Sequence, residues 1–322
     1  MDQTSTQVVC MGELLIDFFC KETNTKLVEG KNFEKQAGGA PANVCATIST
    51  LGGSASFIGK VGGDPFGHFL KNTLRESNVN TSMLVYDHVH PTTMAFVSLT
   101  SDGERDFVFN RGADAYLEEN EINENLVNQA SILHFGSATA LLSEPFLSTY
   151  LKSIKNGKER NQFISFDPNF RIDLWKEEMN LFIKRVQGCL PYVDFLKVSE
   201  EELSILTNAI TRKEAVSELH RFGVKLIAVT LGEEGTYLSN GEQAKVVPST
   251  SIQSIDSTGA GDAFVGAMLY QMAKSTDFTR LLNDFDCLEE MTLFSNKVGA
   301  LVCTKVGAIA AIPTLEEVHT IA

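Results

Sequence analysis

Residues 256–264 read DSTGAGDAF, with Gly259 and Gly261 on either side of Ala260 and Asp262 directly after them. The AFVGAMLYQMA that follows (263–273) is rich in helix formers and repeats its apolar positions at helical spacing, so a helix starts near Gly261. The glycines remove side chains where the chain turns into that helix. Bare N–H groups at a helix N-terminus, which carries about half a positive charge, make an anion site. A carboxylate in the first turn repels any anion held there. One reading is phosphoryl transfer, in which the amides of 259–261 hold the migrating charge while Asp262 takes the proton of an attacking hydroxyl. The other is a glycine turn whose Asp simply favours the helix start.

Five further stretches carry candidate chemistry. QAGGAPANVCATISTLGG (36–53) sets Gly38 and Gly39 before Pro41 and opens a helix through Asn43, whose amide both donates and accepts. That suits a polyhydroxylated ligand, or a local bond at a helix start. Asp17 is the one charge in LLIDFF, and burying an unpaired carboxylate costs several kcal/mol. It must meet neighbouring ligand hydroxyls, a cation, or water at a strand end. DPNFRIDLW (167–175) holds the chain's one Trp and Arg171, a planar fork for phosphate or carboxylate. KVSEEEL (197–203) opens a helix with three acids, which favour a first turn or organise a metal–nucleotide complex through water. TLGEEG (230–235) is a strand end followed by a glycine turn.

The elements that position these residues alternate. VVCMGELLIDFF (8–19), 55–61, 131–136, 162–169, 193–199 and 225–232 read as strands, with helices near 41–52, 66–77, 146–156, 178–190, 200–208 and 212–222. Alternation of this kind predicts an α/β fold with a mostly parallel sheet and sites at the carboxyl ends of its strands. TMAFVSLTSDGERDFVFNR (93–111) instead alternates polar and apolar residues about a Ser-Asp-Gly-Glu turn, a hairpin signal. With 26–36 it forms either a β-flap over the site or an ordinary hairpin capping a sheet edge.

Other chemistries fall away. GSASFIGKV (53–61) has the wrong glycine spacing and lacks the Ser or Thr of a P-loop; no GxGxxG follows the first strand, and HExxH and GxSxG are missing. Walker ATPases, Rossmann dehydrogenases, zinc proteases and serine hydrolases are all disfavoured. The 322 residues are 43% hydrophobic and 21% charged, a globular composition. With a net charge of −14 and no Lys/Arg block, nucleic acid is not an expected partner. No apolar run reaches the ~18 residues of a membrane span, MDQTSTQVVC lacks the regions of a signal peptide, and the expected location is cytoplasmic. Cys10, Cys20, Cys45, Cys189, Cys287 and Cys303 show no metal-binding spacing and read as reduced thiols.

The AGGAPANVCATISTLGG and IGKVGGDPFG segments together are similar to the amino-terminal signature of the ribokinase-like (PfkB) carbohydrate kinases, and DSTGAGDAF to their carboxyl-terminal one. The resemblance spans nearly the whole chain, and DPNFRIDLW and KVSEEEL are most similar to the fructokinase branch; other members often carry Asn in place of Ser199. It implies a single domain over 1–322, a three-layer α/β/α ribokinase-like fold with a small β-sheet lid from about 13–36 and 88–112, and a homodimer through that lid. By the same similarity Asp17, Gly38, Gly39, Asn43 and Arg111 would bind the sugar, with Arg171 near its phosphoryl-accepting end. Gly259, Ala260 and Gly261 would form the anion hole beside the base Asp262. Thr230, Gly232, Gly235, Asn296 and Ser199 would line ATP, and Glu202 would hold water around Mg²⁺. A monovalent cation such as K⁺ would sit by Asp256 and Thr258 with carbonyls near Val302, Lys305 and Gly307; Ala311 stands where some relatives have Ser.

The activity this implies is transfer of the ATP γ-phosphoryl group to the 6-hydroxyl of fructose. 2-Keto-3-deoxygluconate is the alternative acceptor, because Arg171 would equally meet a sugar-acid carboxylate, and a riboside ranks third. A non-catalytic sugar-binding regulator is the alternative from another class, and the intact Gly-Ala-Gly-Asp counts against it. An Asp with an ordinary value near 3.9 is ionised at pH 7 and too weak to deprotonate a resting alcohol, so its proton transfer comes late.

Overall fold

The computed structural model describes residues 8–22, 24–99 and 105–321. Thirteen strands run through them: β1 (Val8–Met11), β2 (Leu15–Cys20), β3 (Phe33–Gly38), β4 (Ala55–Gly62), β5 (Asn80–Asp87), β6 (Met94–Leu99), β7 (Arg105–Asn110), β8 (Ile132–Phe135), β9 (Phe163–Phe166), β10 (Phe195–Ser199), β11 (Leu226–Thr230), β12 (Thr236–Ser239) and β13 (Ala244–Val247). The helices are α1 (Ala40–Thr50), α2 (Pro65–Glu76), α3 (Glu124–Val127), α4 (Phe146–Glu159), α5 (Ile172–Trp175), α6 (Met179–Cys189), α7 (Glu200–Leu206), α8 (Arg212–Arg221), α9 (Ala260–Met272), α10 (Phe278–Asn283), α11 (Phe285–Val302) and α12 (Leu315–Thr320).

Nine strands form one sheet in the order β13-β12-β11-β10-β9-β8-β1-β4-β5. Every pairing from β11 to β5 is parallel, and β12 and β13 add an antiparallel edge. Alternate side chains feed two cores. Cys10, Phe57, Ile132 and Phe195 pack on one face with Val44, Phe264 and Leu288 of α1, α9 and α11. Met11, Ile58, Leu133 and Leu196 pack on the other with Tyr150, Phe182 and Leu219 of α4, α6 and α8. Strands covered on both faces read as near-continuous apolar runs. The result is the expected three-layer α/β/α fold.

The remaining strands form a separate sheet, β3-β2-β6-β7. Its pairings include Asp17 opposite Gln36 and Ala95, and Phe18 stacks on Phe96 with ring centroids 5.0 Å apart. The Ser-Asp-Gly-Glu turn assigned to this hairpin lies outside the described residues.

The run 8–19 is therefore two strands in two sheets rather than one. Glu13 explains the break. It is only 1% exposed, and its carboxylate accepts from the amides of Ala40 (3.3 Å) and Ala138 (3.4 Å) and from the Ser137 hydroxyl. A sheet interior offers a charge no such donors; the junction between two sheets does. Other passages between the sheets are pinned in the same way. Asp64 accepts from the Thr92 amide (2.8 Å) and hydroxyl (2.7 Å), and the buried Asp114 accepts from Thr93, from Thr139 (2.7 Å) and from Arg111 (3.2 Å). Among the described residues no helix is long and apolar enough to cross a membrane.

Candidate active site

Helix α9 begins at Gly259, whose φ of +79° lies in the left-handed region. A Cβ there would also stand 2.7 Å from that of Ala308, so glycine is required twice over. Asp262 sits in the first turn and is 9% exposed. Its Oδ2 accepts a 2.8 Å hydrogen bond from Asn43 Nδ2, in the first turn of α1. One turn further along both helices, Gly266 rests on Thr47, where an added Cβ would come within 2.6 Å of the Thr47 Cβ. Helices α1 and α9 thus run side by side in the same direction, and their positive ends open on one space. Asn43 Oδ1 is buried there without a partner.

Asp17, on β2, is linked to that space through Arg171, whose guanidinium acts on its carboxylate as well as on that of Asp262. Gly38, on the adjoining β3, has no side chain because a Cβ there would collide with the Asp17 carboxylate. Burial pushes Asp17 up to about 7, against the pull of the Arg171 guanidinium and with a further push from Glu13. Asp262 is pushed up to about 6, again by burial, with Asn43, Lys197 and Arg171 opposing and Asp167 adding. The ordinary carboxylate value expected for Asp262 is thus corrected upward: a helix N-terminus favours its charge but does not replace lost water. Arg171, at the start of α5, is close enough to influence both carboxylates, and its Nη1 donates to the Phe170 carbonyl at 3.0 Å.

Two charged residues at this space were not among the expected ones. Lys197 on β10 and Asp167 just past β9 are 8% and 3% exposed and form an ion pair at 3.0 Å. Burial works against the ammonium, but Asp167, Glu202 and Asp262 outweigh it and hold Lys197 well above the ordinary lysine value. The signal was present in the sequence: Lys197 is the one charge within the apolar β10, and Asp167 directly follows the apolar β9.

Other expected residues have their side chains committed elsewhere. Arg111, assigned to the sugar, donates to Asp114 (3.2 Å), Ser143 (2.8 Å) and the Thr139 carbonyl (2.8 Å). Asn296, assigned to the nucleotide, accepts from Thr236 (2.7 Å) and donates to the carbonyls of Val247 and Pro248, both at 3.0 Å. Ser199 caps α7 in a reciprocal box with Glu202, whose other oxygen accepts from the Phe170 amide at 2.7 Å. Thr230 ends β11 beside Ser199, and Gly232 and Gly235 shape the turn after it with φ of +61° and +103°.

Asp256 Oδ1 accepts from the Thr258 amide (2.9 Å) and hydroxyl (2.6 Å), and Oδ2 from the Gly307 amide (2.9 Å). These bonds bring 256–258 against the 302–307 segment, where the Val302 carbonyl accepts from the Lys305 amide at 3.2 Å. One carboxylate with backbone carbonyls is a donor set that fits a hard monovalent cation. Among the described residues no three His, Cys, Asp or Glu side chains converge to hold a metal directly.

Comparison with known proteins agrees with this geometry. The family model for pfkB family carbohydrate kinases matches residues 5–315. The chain is 40% identical to probable fructokinase-6, chloroplastic, of Arabidopsis thaliana over 98% of its own length and 82% of that protein's. It is similar to the crystal structure of fructokinase with bound ATP from Xylella fastidiosa, at a TM-score of 0.90 and 32% identity over 98% of each chain. A fructokinase double mutant from Vibrio cholerae O395, solved with fructose, ADP and potassium ion, aligns at a TM-score of 0.85 and 30% identity over 100% of this chain and 99% of that one. Matched from one end to nearly the other, with both signatures converging on one space, the chain belongs to the pfkB family of carbohydrate kinases.

Proposed function

We propose that this protein is an ATP-dependent fructokinase, which transfers the γ-phosphoryl group of ATP to the 6-hydroxyl of fructose. The observation that carries the reading is the Asn43–Asp262 pair at the joined ends of α1 and α9, with the unpartnered Asn43 Oδ1 beside it. A buried acceptor without a donor suits a ligand hydroxyl. The fructose and ADP of the Vibrio cholerae structure, and the ATP of the Xylella fastidiosa one, support this sugar and this nucleotide.

Asp17 and Asn43 hold the sugar hydroxyls, and Gly38 lets the chain approach. The 6-hydroxyl oxygen bonds to the γ-phosphorus as the bridging bond to ADP breaks, and its proton passes late to Asp262. The amides of 259–261 take the charge on the transferring oxygens. Arg171 steadies the phosphoryl-accepting end. Positioning supplies most of the rate, because a base near 6 remains far weaker than an alkoxide.

Mg²⁺ bound with ATP would supply neutralising charge to the phosphates. Asp167 and Glu202, already bonded within the protein, retain lone pairs for water around that ion. K⁺ fits the loop at Asp256 and Thr258. The small sheet serves as a lid, and its exposed Val28 and Val108 are where a second copy packs in a homodimer. The cytoplasm is the compartment we assign.

The test is ADP release with Mg·ATP against fructose, 2-keto-3-deoxygluconate, ribose, glucose and adenosine. Fructose is expected to be turned over selectively, and Asp262→Asn to lower kcat by roughly 10²–10⁴. Preference for the sugar acid would change the substrate, and a fully active Asp262→Asn would remove the base.

A further inference from the structure

We propose that Lys197 is a catalytic residue of this reaction, its ammonium touching the phosphoryl group in transit between ATP and the sugar. The role rests on the kinase reading above; Lys197 opens the KVSEEEL stretch, but the sequence reading assigned it no function.

Position is the first argument. A Cβ built on Gly261 would lie 3.2 Å from Lys197 Nζ and 3.6 Å from its Cε. Since Gly261 supplies one of the anion-hole amides, the ammonium lies against the backbone that receives the phosphoryl oxygens.

Valence is the second. An ammonium has three N–H donors. Among the described residues Asp167 is its one bonding partner, at 3.0 Å, in a side chain that is 10% exposed. Two donors are left over in a nearly closed environment, where leaving a charged group's hydrogen bonds unmade is costly. An anion placed at the amides of 259–261 supplies the missing acceptors.

Charge is the third. Asp167, Glu202 and Asp262 all act on Lys197 electrostatically. Without the ammonium, a phosphoryl group entering this space would face three carboxylates with Arg171 as the nearest cation. An ion pair placed only for stability has no need of this location, because well-packed apolar residues serve a core as well or better. A lysine also suits a group that moves: its compact charge and three rotatable donors follow phosphoryl oxygens from one bonding partner to the next, where a planar guanidinium favours one orientation. Lys197 remains protonated throughout. The proton from the sugar goes to Asp262, and the electron pair of the broken bond leaves with ADP.

The test compares wild type with Lys197→Met in two assays. Steady-state kinetics give kcat and the fructose KM. Calorimetry gives Kd for ADP and for a non-hydrolysable ATP analogue, each with Mg²⁺. We expect kcat to fall by roughly 10²–10³ with the fructose KM within about threefold, as for loss of one oxyanion donor. We expect the analogue to bind about tenfold more weakly and ADP to bind unchanged, because the contact is to the terminal phosphoryl group alone. A kcat within about threefold of wild type, or equal weakening of ADP and analogue, would overturn the proposal. Should Lys197→Met fail to fold because Asp167 is left unpaired, Lys197→Met/Asp167→Asn removes both charges and is judged against Asp167→Asn by the same criteria. A wild type silent toward fructose would overturn the substrate reading, and the nucleotide comparison would still decide Lys197.

Discussion

Asp17 and Asp262 share one space with their carboxyls at about 7 and about 6, and this sets how the free enzyme responds to acid. In the proposed mechanism both must be ionised, Asp17 to accept from sugar hydroxyls and Asp262 to accept a proton. The value of kcat/KM for fructose is therefore expected to fall as pH drops through 7 and to steepen below 6, where two protons rather than one must leave. In Asp17→Asn the residual activity should retain only the limb near 6; an unchanged profile would show that Asp17 does not titrate in this range. The residues around this behaviour were legible where glycine occurs beside a charged or amide side chain, as in Gly259–Asp262 and Gly38–Asn43, because no helix or strand interior asks for that combination. Lys197 and Asp167 were not singled out, since one charge at a strand end looks like a residue meeting solvent. Only the fold shows each to be the other's partner.

At the scale of elements, catalysis depends on how closely α1 lies on α9. The Asn43–Asp262 bond and the Thr47–Gly266 contact are one turn apart on both helices, so a change at the second is felt at the first. Gly266→Ala adds a methyl group 2.6 Å from the Thr47 Cβ and 2.9 Å from the Val44 carbonyl. Its expected cost is about 1–3 kcal/mol of stability, read by denaturant unfolding. A loss of kcat should accompany it, restored in part by Thr47→Ser; full activity with lowered stability would uncouple the contact from the base. Helices α1, α2, α4, α6, α7, α8 and α9 and six of the parallel-sheet segments were readable from periodicity, but the 18-residue α11 was not among the expected helices. The edge strands β5 and β13, and β12 beside the latter, were not readable, because they are short or exposed on one side. The β12–β13 turn, where Asn240 Oδ1 accepts from the amides of Glu242 and Gln243, is local polar chemistry with little hydrophobic pattern. The single run at 8–19 hid a change of sheet because its one interior acid before Asp17, Glu13, gives no sign in the sequence of what satisfies it.

For the whole molecule, holding Asp17 ready for a sugar carries a cost in stability. Its folded value of about 7 lies above the ordinary 3.8, so protonation favours the folded state. That contribution is fully present below pH 3.8 and is lost as pH rises through 7. Without ligand, Asp17→Asn is expected to melt about 2–5 °C higher than wild type at pH 8, with the gap narrowing steadily as pH falls from 7 toward 3.8. A lower melting temperature at pH 8 would mean that the carboxylate is satisfied by the protein itself. The division of the molecule into two sheets has a further effect. Asp17 belongs to the small sheet and Asp262 to a helix of the large one, and no hydrogen bond joins them. In the proposed reading, a sugar whose hydroxyls reach both is held on two sides. Under the proposed mechanism the expected consequence is slow ATP hydrolysis when sugar is scarce, because the acceptor itself completes the site that consumes the nucleotide.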